Sequence, residues 1–120
     1  MMQNLKSTVL TALQTASALS TLKGFDFHYP DTFNNLPRLS YFQADNTANL
    51  YADEEEVGSE IIFQIDLWGK ASLSTYQTAV NDVMASLDFE RISSPDLFEK
   101  DTKIHHIAMR FRKDQENPDF

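Results

Sequence analysis

Ile61-Ile62-Phe63-Gln64-Ile65-Asp66-Leu67-Trp68 runs through Gly69-Lys70 straight into Ser72-Leu73-Ser74-Thr75-Tyr76, the opening of a helical pattern. Successive side chains of a strand point to opposite sides, so Ile61, Phe63, Ile65 and Leu67 form one wholly apolar face. The other face carries Ile62, Gln64, Asp66 and Trp68 and is half polar. One side of this strand is therefore expected on a core, and the other against solvent or a neighbouring subunit.

Upstream, Leu5, Val9, Ala12, Leu13, Ala16 and Leu19 recur at spacings of three and four, which predicts an amphipathic helix over residues 2–22 with Gly24 as its stop signal. Its many Thr and Ser residues give it little intrinsic helicity, so packing has to hold it. Phe25 to Tyr29 is a short aromatic run, Pro30-Asp31 marks a turn, and Leu36-Pro37 opens a second extended segment with Leu39 and Tyr41 on one face. The polar stretch Ala44 to Asp53, running into Asp53-Glu54-Glu55-Glu56, is expected as a long solvated loop.

Downstream, Ser72 or Ser74 is positioned to cap a helix whose apolar residues are Leu73, Tyr76, Val80, Val83, Met84 and Leu87. Phe89 to Ile92 reads as a short strand, Ser93-Ser94-Pro95-Asp96 as a break, and Leu97 to Lys103 as a polar connection. Ile104 to Arg112 is the last strand, with His105, Ile107, Met109 and Phe111 on one face and Ile104, His106, Ala108 and Arg110 on the other. Fraying is expected from about residue 113. The order is α-β-β-β-α-β-β, an α+β fold with a mainly antiparallel sheet and two helices packed on it.

The 120 residues allow one domain and one core. With no cysteine, thiolate metal sites and thiol nucleophiles are excluded. The N-terminus has no continuous apolar stretch of the signal-peptide kind and no run long enough to span a membrane, so a soluble cytoplasmic protein is expected. A net charge of −8 argues against binding to nucleic-acid phosphates or to anionic membranes.

Chemistry is harder to find. Among the carboxylates only Asp66 and Glu99 interrupt apolar surroundings; Asp66 reads as a solvent-side or interface residue, and Glu99 as a cap for the turn at Thr102 or a partner for Arg91. His105 and His106 point to opposite faces of their strand and cannot chelate one metal together. No serine lies in a nucleophile elbow, and Gly69-Lys70 lacks the upstream glycines of a phosphate loop. No catalytic, metal or cofactor site is predicted. The candidate protein-interaction residues are Tyr51, Asp53, Glu54, Glu55, Glu56, Ile62, Asp66 and Trp68.

In their order, these segments resemble the tail terminator and tail completion proteins of long-tailed bacteriophages, a class of small head-tail joining components. The resemblance covers nearly the whole chain. It rests on the helix Leu5 to Leu22, the entry Leu36-Pro37-Arg38-Leu39-Ser40-Tyr41, the acidic approach to Phe63-Gln64-Ile65-Asp66-Leu67-Trp68, the helix Ser74 to Leu87, and the closing Phe89-Glu90-Arg91 and Ile107-Ala108-Met109-Arg110-Phe111. It implies a virion protein without enzymatic activity that assembles as a ring, typically a hexamer, caps the tail tube and meets the head-side connector. The implied partners are copies of itself, the tail tube protein and the connector protein, with DNA passing through the ring. A neck or stopper protein, whose gating loop would be 44–56, is the nearest alternative. An unrelated protein-binding adaptor and a small α+β enzyme are more distant ones.

Overall fold

The computed structural model of the chain describes residues 6–52 and 55–116, and of 45–52, 55–59 and 115–116 it describes the backbone. Three long strands form the centre of one sheet: β2 (Arg38–Ala52), β3 (Glu55–Gly69) and β6 (Ile104–Glu116). Short strands lie outside them, β1 (Phe25–Phe27) parallel to β2, and β4 (Glu90–Ser93) and β5 (Asp96–Glu99) antiparallel to β6. The helices are α1 (Lys6–Thr15) and α2 (Ser74–Ser86), and the strand order is β1-β2-β3-β6-β4 with β5 also on β6. This is the expected α+β architecture, a single domain with two helices on a mostly antiparallel sheet.

The alternation that opens the sequence becomes the core. Ile61, Phe63, Ile65 and Leu67 are each fully buried, joined from β6 by Ile107, Met109 and Phe111 and from β2 by Leu39. α1 covers this face with Val9 and Leu13, and α2 with Ala79, Val80 and Met84. Strands alternate and helices repeat every three or four residues, so a single apolar layer is shared by both patterns. Gly69 leaves room for the buried Leu73 side chain, which a Cβ there would overlap.

Four local expectations are corrected. The stretch 44–56 is mostly paired strand: β2 and β3 form one long hairpin, with Leu50 opposite Gly58 and Tyr51 opposite Glu56. Bulges near Ala44 and between Thr47 and Leu50 disturb the alternation, which is why the segment looks like a loop in sequence. The first helix stops at Thr15, where Ala16 turns extended, and a single 3-10 turn at Ser17–Leu19 buries Leu19. The polar connection after Pro95 contains β5, which pairs with β6 from Asp96 opposite Ile107 to Glu99 opposite Ile104. β6 keeps its pairing beyond residue 113, as far as Glu116 opposite Gly58.

The start of α2 also differs in detail. Leu73 occupies its N-cap position without a side-chain cap, while Ser72 Oγ accepts a 3.4 Å bond from the Ser74 N–H.

Candidate functional site

The face of the sheet turned away from the helices carries the groups with the richest chemistry. Residues opposite one another across a ladder share a face, so the register builds two rows. One row runs Arg38, Trp68, His106 and Leu97, and the next runs Asp26, Ser40, Asp66 and Ala108.

At one end of these rows is a buried ion pair. Arg38 donates Nε and Nη2 to the two carboxylate oxygens of Asp26 at 2.7 and 2.9 Å, and both side chains are shielded from solvent. The bond to Asp26 raises the Arg38 pKa, against an opposing effect of burial, so the guanidinium is charged at every accessible pH. The guanidinium lies against Gly24, where a Cβ would overlap it; space for Arg38, rather than helix termination, explains that glycine.

Trp68 occupies the centre. Its indole stacks on the His106 ring at 3.7 Å and 10°, and Nε1 donates to Ser40 Oγ at 3.0 Å. Asp66 lies beneath, with Oδ2 at 3.4 Å from His106 Nε2 and Oδ1 accepting from Gln64 Nε2 at 3.0 Å. Arg110 Nη2 in turn donates to Gln64 Oε1 at 2.9 Å. The His106 nitrogen is within ion-pairing distance of Asp66 but off the line of a hydrogen bond, which leaves it a buried atom without a hydrogen-bond partner. The two groups are therefore in contact without a directional bond between them.

The segment from His28 to Pro37 folds back over this face and supplies two more rings. Tyr29 sits 5.7 Å from Trp68 and Phe33 5.4 Å from it, the latter edge-on. With His106, Glu99, Thr102 and Ile104 they line an open cavity of about 330 Å³. Thr102 donates its hydroxyl to Glu99 Oε2 at 2.8 Å, which is the turn cap expected for Glu99.

The sequence-predicted interaction residues do not gather in one place. Trp68 is 7% exposed and Asp66 6%, so both belong to the interior of one subunit. The reading of Trp68 as an interaction residue on a face open to solvent or a neighbouring subunit is therefore corrected. The loop 28–37 covers what alternation alone leaves open. Ile62 is half-buried on the same face as Arg112, its register partner. Arg112 bonds Glu60 and Asp114, which raises its pKa. Tyr51, Glu55 and Glu56 lie in paired backbone at the far end of the hairpin, about 40 Å from Trp68 at the strand's rise per residue. Asp53 and Glu54 fall outside the described residues.

Tyr29, Phe33, Ser40, His106 and the Asp26–Arg38 pair are site residues that sequence reasoning missed. The opposed faces of His105 and His106 were legible, and they hold: His106 stacks on Trp68, while His105 packs 4.8 Å from Phe98.

Chemically the arrangement is suited to binding. Ser40, Asp66 and His106 superficially suggest a hydrolytic set, but Ser40 is 1% exposed and its hydroxyl oxygen is taken by the indole N–H. Among the described residues no group of three or more His, Asp or Glu is placed to hold a metal ion, and no helix is long and apolar enough to cross a membrane.

No protein-family model matches the chain, and no curated protein matches it. Among solved structures it is similar to a chain in the virion of a native gene transfer agent particle, with a TM-score of 0.60 and 15% identity over 91% of this chain and 92% of that one. At that identity the likeness is one of fold, and it extends over essentially the whole of both chains.

Proposed function

We propose that the chain is a structural component of a phage-like virion, a ring-forming subunit that caps the tail tube and joins it to the head connector. The observation that carries this reading is the end-to-end fold similarity to a chain of a gene transfer agent virion, in which neither protein has a large unmatched part. The order of segments that resembles tail terminators supports it independently. So does a site made of stacked rings around a closed Asp26–Arg38 ion pair.

Ring assembly requires two unlike patches on each subunit. The two margins of the sheet are suitable: β4 and β5 present exposed Ile92, Leu97 and Phe98 along one, and β1 offers exposed Phe27 along the other. The stopper alternative is weakened, since residues 44–52 and 55–56, proposed as its gating loop, are mostly strand.

The test is mass in solution, alone and with tail tubes, together with electron microscopy of tube ends. A ring, preformed or assembled at the ends and halting tube growth, is the expected result. Binding to connectors but never to tube ends would favour the stopper; a monomer that binds neither would overturn both readings.

A further inference from the structure

We propose that the cavity beside Trp68 is a receptor for an arginine side chain of a partner protein, which would stack on its rings and pair with Glu99. The inference needs only the cavity and is independent of the virion reading.

Three features converge. Tyr29, Phe33 and Trp68 present aromatic surface to one cavity of about 330 Å³, and the faces of such rings attract cations. Glu99 adds a carboxylate to the wall. Its Oε2 accepts from Thr102, while Oε1 has no hydrogen-bond partner among the described residues and is free to take a second donor. Lys70 is held with its ammonium on the Thr102 carbonyl at 2.7 Å, and neither it nor Lys100 nor Lys103 lines the cavity.

The rim selects a polypeptide guest over a free ion. Leu97 is opposite His106 in the ladder, so it projects from the same face as the cavity, and it is 47% exposed; Tyr29 on the other side is 67% exposed. Exposed apolar side chains flanking a carboxylate suit the methylene stem of a long side chain with its charged head at the end. A planar guanidinium fits better than an ammonium, because it can lie flat on a ring while forking onto a carboxylate. Trp, Tyr and Arg are also the residues over-represented at the energetic centres of protein interfaces.

Trp68 is the only tryptophan, so its indole N–H resonance and its fluorescence report on this cavity without ambiguity. The experiment titrates the whole chain with the capped tripeptide Gly-Arg-Gly, its lysine and citrulline counterparts, and tetramethylammonium. The arginine peptide is expected to shift the Trp68 indole resonance saturably in the millimolar range, the lysine peptide several-fold more weakly, and the uncharged citrulline peptide not at all. Glu99→Gln, at an exposed position and checked for an unchanged fold by its amide spectrum, should weaken the arginine peptide at least five-fold. Absence of a saturable shift, equal response to arginine and citrulline, or unchanged binding by Glu99→Gln would overturn the proposal. Tighter binding of tetramethylammonium than of the arginine peptide would also overturn it, in favour of a small quaternary ammonium ligand.

Discussion

On the helix side of the sheet, Ile61, Phe63, Ile65 and Leu67 are closed over by α1 and α2, and burial is achieved by apolar area alone. On the loop side, Arg38, Ser40, Asp66 and Trp68 are nearly as well buried, yet each has a hydrogen-bond partner: Arg38 on Asp26, Ser40 with Trp68, and Asp66 with Gln64. The first face tolerates only changes that keep volume. The second depends on pairs, so the cost of a substitution there is set by what it leaves unpaired.

The largest effect is expected at Phe63, fully buried and edge-on to Phe89 at 5.8 Å. Phe63→Ala should lose about 3–5 kcal/mol of stability in urea denaturation, since neighbouring side chains relax only partly into the space left. A loss below about 1 kcal/mol would mean that the helix face is not the main core, and the contrast would collapse.

Arg38→Met probes the other side. It strands the Asp26 carboxylate in a buried position and should cost about 3 kcal/mol. The double variant Asp26→Leu with Arg38→Met should return to within about 1 kcal/mol of the parent, because two apolar side chains leave no charge to satisfy. If the double variant is as unstable as the single one, the face relies on packing as the helix side does.

How much of this was legible depends on the kind of face. The helix side followed from period: alternation in β3 and β6, and spacings of three and four in both helices, marked nearly every core residue. The half-polar face of β3 was equally visible as a pattern, but its fate was not, since the burial of Trp68 depends on where the loop 28–37 lands. Landing is a long-range event without a periodic signature. The same holds for Asp26 and Arg38, which meet only because β1 runs parallel to β2 with Asp26 opposite Ser40. The hairpin from Arg38 to Gly69 was misread midway because bulges in β2 break the two-residue period on which strand reading relies.

Trp68→Phe gives a smaller and more diagnostic effect. A phenyl ring retains the stack on His106 but removes the indole N–H, leaving the 1% exposed Ser40 hydroxyl without its donor. About 1–2 kcal/mol should be lost by thermal or urea unfolding, and adding Ser40→Ala to the Trp68→Phe variant should recover part of it. If that second change brings no recovery, the hydrogen bond matters less than the ring's shape.

The smallest effect is expected where the loop side meets solvent. Tyr29 covers one side of Trp68 but is itself 67% exposed, so Tyr29→Ala removes little buried area and should alter stability by no more than about 0.5 kcal/mol. Its signature should be optical: with the cover gone, Trp68 emission should shift to longer wavelength while the urea midpoint stays nearly constant. A large loss of stability would instead make the loop 28–37 part of the core, and the two faces would then differ in composition only. A silent spectrum would mean that Phe33 alone shields the indole, and that Tyr29 is free to swing away and meet a partner.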